Sequence, residues 1–340
     1  MVTNLKIALA QLNPLVGDVI GNADKLISVR SNLDDSVDIL VAPELYISGY
    51  PIDDLVLRED FLDLVDKGLE NLAKATKDCK SSIIVGAPRK EKNTIRNSVF
   101  VIENGEISTF RDKYELPNSG VFDEQRIFTP GNLSGPVNIK GVRIGIPICE
   151  DIWKENVIEC LAESGAEIII SINASPFTLS KNNERLSVVI SRIRENELPL
   201  VYLNRYGGQD ELVFDGNSFA LNDDGSICLS CKSFEHDISI INFRKDKKWI
   251  GKGDIIKSGG TVVKNVTGYD LSKVISGSYG TLCAVTEINL KVTPIPEHEE
   301  TFLINNIGHI EAIEIFQIDQ EFFKINKKKY FLKSFVIVTK

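Results

Sequence analysis

With 340 residues the chain exceeds a typical single domain, and its 43% hydrophobic content is that of a globular protein with a full core. The formal net charge of -9 excludes the basic footprint that non-specific nucleic-acid binding requires. No window reaches the roughly 18 apolar residues of a membrane span, and residues 1–12 lack the basic start, long apolar stretch and cleavage site of a secretory signal. The expected location is cytoplasmic, with neither a membrane nor a nucleic acid as partner. The six cysteines (Cys79, Cys149, Cys160, Cys228, Cys231 and Cys283) are scattered, which in a reducing compartment means free thiols. Cys228 and Cys231 form a single C-x-x-C, too few ligands for zinc, so this pair is read as structural and no metal site is expected.

In chain order, Lys6 to Ala10 reads as a strand, Ile20 to Leu33 as a helix, and 39–42 as a buried strand ended by Pro43. An amphipathic helix follows within Asp60 to Lys77, with Leu62, Val65, Leu69 and Leu72 at helical spacing. Ser82 to Gly86 is another buried strand, and Val99 to Glu103 closes on the turn Asn104-Gly105. Strands at Val142 to Ile148, Ile168 to Ile172 and Leu200 to Leu203 come next, with a helix at Asn183 to Asn196 between the last two. This alternation predicts layered α/β structure with sheets covered by helices. The character changes near residue 245, where a charged run (Arg244 to Lys248) precedes a Gly-rich stretch, so a boundary is placed at 246–250.

Cys149 follows the apolar run 144–148 and precedes Glu150-Asp151-Ile152-Trp153, read as the start of a helix. A nucleophile on such a sharp turn stands above the sheet, with the following backbone N–H groups aimed at a developing oxyanion and a helix N-terminus favouring the thiolate. A histidine is the usual activating partner, but His236, His298 and His309 all lie downstream of the α/β pattern. A carboxylate base is the alternative. Glu44 stands where a buried strand ends, between apolar neighbours, and Lys113 follows another strand and turn. Three residues on three strand ends could meet on one face of a sheet.

The segments Ala42-Pro43-Glu44-Leu45, Lys113-Tyr114-Glu115-Leu116-Pro117-Asn118 and Ile148-Cys149-Glu150-Asp151-Ile152-Trp153 resemble the Glu, Lys and Cys motifs of the carbon–nitrogen hydrolase (nitrilase) superfamily. The stretches Glu44 to Pro51, Gly120 to Glu124, Asn173 to Phe177 and Gly207 to Gly216 narrow the likeness to the glutaminase domain of glutamine-dependent NAD synthetases, over about residues 4–245. The resemblance implies a four-layer α-β-β-α sandwich, a catalytic trio of Glu44, Lys113 and Cys149, and release of ammonia from glutamine through a Cys thioester without metal or organic cofactor. It further implies that Glu115 orients Lys113 or the substrate amine, and that Ser119, Phe122, Glu150, Ser175 and Lys181 contact glutamine. Two departures stand out: Ser119 replaces a tyrosine of the glutamine pocket wall, and Arg205 replaces a common glutamine.

Relatives of this kind continue into an ATP-pyrophosphatase domain opening with S-G-G-x-D-S, whereas Ser258-Gly259-Gly260 is followed here by Thr261-Val262. Residues Ser258 to Lys291 instead resemble part of the FAD-binding subunit of glycolate oxidase, without its pyrophosphate loop. The expected organisation is therefore a hydrolase domain (1–247), a partial flavin-domain-like fragment of α+β type (248–300) and a tail (301–340). FAD is not expected to bind. ATP and an NAD precursor would enter only through a separate synthetase chain, and a homo-oligomer is expected. Competing readings are a nitrilase-family amidase acting on another amide, and a non-catalytic fused product.

Overall fold

The sequence runs apolar where it builds the inner strands and repeats every three to four residues where helices cover them, and the layers follow from that. In a computed structural model the described residues are 4–244 and 249–250, with four short strands beyond them at 302–305, 323–325, 328–330 and 335–338. Two compact units divide the chain, Met1–Gly260 and Thr261–Lys340.

The first unit opens with β1 (Asn4–Gln11), α1 (Val19–Ser31), β2 (Ile39–Val41), α2 (Glu59–Ala75), β3 (Ser82–Glu91), β4 (Thr94–Glu103) and β5 (Glu106–Asp112). It continues through α3 (Glu124–Ile127), β6 (Val137–Ile139), β7 (Val142–Gly145), α4 (Glu155–Glu163), β8 (Ile168–Asn173), α5 (Lys181–Asn196) and β9 (Leu200–Asn204). The hairpin β10 (Tyr206–Gln209) and β11 (Leu212–Asp215) precedes β12 (Phe219–Leu221), β13 (Ile227–Ser230), β14 (Asp237–Arg244) and β15 (Trp249–Ile250).

Two sheets result. One has the order β15-β14-β1-β2-β3-β4-β5, the other β13-β12-β9-β8-β7-β6. Three apolar cores separate four layers. Leu5, Ile7 and Leu9 of β1 meet Ile144, Ile170 and Val201 of the second sheet. Their neighbours Ala8 and Ala10 face the opposite way, onto Val19, Ala23 and Leu26 of α1 and Leu62, Val65, Leu69 and Leu72 of α2. On the far side, Val157, Ile158 and Leu161 of α4 and Val189 and Ile193 of α5 pack on Ile169, Leu200 and Tyr202. Strands buried on both faces lose the alternation of polar and apolar residues, which is why β2 reads as an unbroken apolar run and β8 departs from one only at the buried Ser171 and Asn173. Each fully buried Leu or Ile contributes about 1.5–3 kcal/mol. The α-β-β-α sandwich is the architecture that the resemblance implied.

The expected strands and helices are present with ends shifted by a few residues. Two differences matter. The helix expected from Glu150 begins at Cys149 as a five-residue 3-10 turn, Cys149–Trp153, and α4 starts only at Glu155. The chain also returns to the first sheet through β14, antiparallel to β1, and β15 extends that sheet with Trp249 buried against Phe243 at a ring separation of 5.4 Å.

In the second unit, Phe302–Asn305 pairs in parallel with Phe335–Val338, and Phe323–Ile325 pairs antiparallel with Lys328–Tyr330. The flavin-like segment Ser258 to Lys291 lies outside the described residues.

Candidate active site

The site is assembled from strand ends. Glu44 lies three residues beyond β2, Lys113 directly follows β5, and Cys149 follows Ile148, which bridges to Ile172 of β8. The Glu44 turn is tight: Leu45 has φ 45°, a left-handed conformation that a large apolar residue adopts only when its surroundings fix it. Gly86 of β3 makes room for that turn, since a Cβ there would stand 2.3 Å from the Leu45 nitrogen and 2.7 Å from the Pro43 oxygen. Cys149 is also left-handed, with φ 48°, the strained strand-to-helix turn expected of a displayed nucleophile.

Glu44 is fully buried, and both carboxylate oxygens are held. Oε1 accepts from Lys113 Nζ at 2.7 Å and from Asn97 Nδ2 at 2.9 Å, and Oε2 accepts from the Ala174 backbone N–H at 2.9 Å. The Lys113 ammonium reaches a second carboxylate, donating to Glu124 Oε1 at 3.0 Å and Oε2 at 2.9 Å. Tyr50 Oη donates to the same Glu124 Oε1 at 3.2 Å. Burial alone would lower the Lys113 pKa. Glu124 and Glu44, with the Cys149 sulfur, outweigh it and hold the ammonium well above its ordinary range. Burial raises the Glu124 carboxyl, opposed by Lys113 and assisted by Glu44.

Cys149 departs from the expected thiolate. Its thiol is pushed well above the ordinary range by burial and by the Glu44 charge, against the smaller opposing pull of Lys113. The short 3-10 turn supplies no long helix dipole to reverse this. The resting sulfur is a thiol that needs a proton acceptor.

The remaining expected residues are distributed unevenly. Glu150, adjacent to Cys149, is half-buried; burial raises its carboxyl, while Lys113, Lys154 and Lys181 pull it down. Lys181 opens α5 with Nζ 4.2 Å from the Trp153 ring centre and 3.3 Å from Glu184 Oε2. Ser175 is buried, and its hydroxyl accepts from Arg185 Nε at 3.1 Å. Glu115 is half-buried and makes no ion pair with Lys113 among the described residues; Glu124 is the second carboxylate there. Ser119 lies exposed on the turn before Phe122, which is half-buried against the α1–α2 core.

Several residues at the site went unassigned in the sequence reading. Glu124 was inside the Gly120 to Glu124 segment, but a lone carboxylate in a loop has no pattern that marks it as a partner of Lys113. Asn97 and Asp151 likewise become visible only through their contacts. Arg185 is fully buried, with Nη1 on Asp215 Oδ1 at 2.8 Å and Nη2 on the Ser175 and Pro176 carbonyls at 2.7 and 3.0 Å. Arg205 is buried without a carboxylate partner among the described residues. It donates to the Tyr50 and Pro14 carbonyls and to Asn13 Oδ1, stacks 4.4 Å over Phe214, and is lowered by burial to about 10. Among the described residues no group of three or more His, Cys, Asp or Glu could hold a metal ion, and no helix is long and apolar enough to cross a membrane.

A buried Glu–Lys pair beside a cysteine on a strained strand end, within two sheets sandwiched by helices, defines a class. Residues 6–246 match the carbon–nitrogen hydrolase family model, and the chain belongs to that family. Among individual proteins it is similar to the glutamine-dependent NAD(+) synthetase of Aquifex aeolicus, 39% identical over 235 residues covering 69% of this chain and 41% of that one. It is 35% identical to that of Rhodobacter capsulatus over 246 residues, covering 72% of this chain and 44% of the relative. The structure of the glutamine-dependent NAD+ synthetase from Acinetobacter baumannii in complex with ADP superposes with a TM-score of 0.71 at 31% identity, over 75% of this chain and 49% of that one. A carbon–nitrogen hydrolase from Helicobacter pylori shares the fold, with a TM-score of 0.61 at 20% identity. The chain thus spans less than half the length of these curated synthetases.

Proposed function

We propose that the first unit is a glutamine amidohydrolase working through a thioester on Cys149. The observation that carries this reading is the placement of the Glu44 carboxylate and Lys113 ammonium, 2.7 Å apart and wholly buried, where both act electrically on the Cys149 sulfur. Glu44 takes the thiol proton as the sulfur attacks the carboxamide carbon. Lys113 and the backbone N–H following Cys149 stabilise the oxyanion. To do so, the ammonium exchanges one of its Glu124 bonds for the substrate oxygen. Glu44 then returns the proton to departing ammonia and activates water to release glutamate.

Glu150 and Lys181, of opposite charge and near enough for the ammonium to act on the carboxyl, suit the α-ammonium and α-carboxylate of an amino-acid amide. Ser175, Phe122 and Ser119 complete the contact set in this reading, with Glu115 on the amine. The half-reaction needs no metal or organic cofactor. The ammonia is passed to a synthetase on a separate chain, which handles ATP and the NAD precursor, in a cytoplasmic homo-oligomer. The division into 1–247, a flavin-like fragment at 248–300 that binds no FAD, and a tail at 301–340 belongs to the same proposal.

The test is ammonia release from a panel of glutamine, asparagine, simple aliphatic amides and nitriles, with Glu44→Gln alongside. Glutamine should be the preferred substrate, and Glu44→Gln should lose at least about 100-fold, as befits a lost acid–base group. Preference for a different amide would favour the second reading, an amidase whose pocket is reshaped at Ser119. No turnover of any amide would overturn both.

A further inference from the structure

The nucleophile and the lysine sit on turns that leave different sheets, and side-chain bonds between them are needed to fix their separation. One carboxylate makes such bonds. Asp151, two residues after Cys149, is buried and among the described residues accepts three backbone N–H bonds. Its Oδ2 takes the N–H of Ile148 at 3.0 Å, immediately before the nucleophile. Its Oδ1 takes the N–H groups of Tyr114 at 3.1 Å and Glu115 at 2.8 Å, immediately after Lys113.

We propose that Asp151 is a positioning residue, a brace that sets the Cys149 turn and the Lys113 segment in one fixed register. The geometry makes this specific. Oδ1 and Oδ2 face different segments, so no neutral isostere can serve both. An asparagine could keep its oxygen toward Tyr114 and Glu115, but its NH2 would then point at the Ile148 N–H, donor against donor. A displacement of about 1 Å between reacting groups can cost on the order of 100-fold in rate. Burial raises the Asp151 carboxyl to about 7 against the pull of its three N–H donors and of Lys113, the charged group that acts on it most. Leaving the buried Ile148 N–H facing a donor also destabilises the fold, so the test must separate position from stability.

This inference rests on the proposed amidohydrolase, and the experiment keeps the two apart. Asp151→Asn is compared with Asp78→Asn, which weakens a brace elsewhere in the fold, the buried Arg30 on the exposed Asp78 at 2.6 Å. Three quantities are read well below each melting temperature: kcat per titrated active site, KM for glutamine, and the rate of Cys149 alkylation by iodoacetamide. Asp151→Asn should lose at least about 10-fold in kcat with KM within about 3-fold of wild type, whereas Asp78→Asn should melt earlier with kcat unchanged. Wild-type kcat in folded Asp151→Asn would overturn the brace. If wild-type protein does not hydrolyse glutamine, the proposed function fails, and the alkylation rate alone decides the brace by the same comparison. Should Asp151→Asn not fold, hydrogen exchange on the wild-type chain decides. The amides of Tyr114, Glu115 and Ile148 should exchange at one common slow rate, and fast independent exchange of Tyr114 and Glu115 would contradict the proposal.

Discussion

Two buried assemblies of charge in the first unit are built on opposite plans. In the first, Arg185 meets Asp215 one to one. Every guanidinium nitrogen has a partner, Nε on Ser175 Oγ, Nη1 on both Asp215 oxygens and Nη2 on two carbonyls, and Asp215 Oδ2 also accepts from Asn217 Nδ2 at 2.7 Å. In the second, one ammonium, Lys113, is shared by the carboxylates of Glu44 and Glu124, and a thiol pushed above its ordinary range stands beside them. A closed pair has no reason to exchange protons. An assembly with more acid groups than cations holds protons on terms that a substrate can change. Under the proposed function, the difference separates a joint of the scaffold from a reactive centre, although burial is the same in both.

The sharpest way to break that comparison is to strand the acids in each. Lys113→Met and Arg185→Met should both destabilise by about 3–5 kcal/mol, because each leaves buried carboxylates without their cation. Only Lys113→Met should also lose at least about 100-fold in ammonia release per folded molecule, whereas Arg185→Met should stay within about 10-fold. Chemical unfolding and turnover on the same preparations check this. Equal losses of turnover would dissolve the distinction.

Trp249 supplies a baseline with no charge involved. Trp249→Ala should cost about 3–5 kcal/mol of stability through the cavity it leaves beside Phe243, with kcat intact in the folded fraction. Loss of kcat there would mean that the edge of the first sheet is coupled to the reactive centre.

Gly86→Ala sharpens the comparison from the backbone side. The added Cβ meets Leu45, Pro43 and Glu44 backbone atoms at 2.3–2.8 Å, so the Glu44 turn must shift while Arg185 and Asp215 are untouched. Turnover should fall about 10–100-fold with a modest drop in melting temperature. The smallest effect is expected at Ser119→Tyr. An aromatic ring there should lower the KM for glutamine by a few-fold if Ser119 borders the pocket, and leave it unchanged if the exposed turn is remote.

The layers were legible because burial on both faces leaves long apolar runs, and the spacing of Leu62, Val65, Leu69 and Leu72 identified the covering helix. β14 was not legible: Asp237–Arg244 mixes polar and apolar residues on a half-exposed strand, and its partner β1 lies more than 200 residues away. At the site, three residues stood out because each ends a strand inside a recognisable motif. Glu124, Asn97 and Asp151 did not, since what makes them matter is the group each touches, and a hydrogen bond between distant segments leaves no period in a sequence. The helix start expected at Glu150 is present one residue earlier, as the 3-10 turn Cys149–Trp153; what the residues did not reveal was the 3-10 type and the break before α4. The acidic residues after Cys149 do mark a helix start, since Asp151 reaches back to accept from the Ile148 N–H as in a capping box.

The central claim is that Cys149 is the nucleophile for glutamine. It is tested most directly by treating the full chain with a diazoketone analogue of glutamine and measuring intact mass, followed by peptide mapping. The account predicts a single adduct per chain on Cys149, lost in parallel with ammonia release, and neither adduct nor ammonia release in Cys149→Ala. An adduct on another residue, or ammonia release that survives in folded Cys149→Ala, would contradict it.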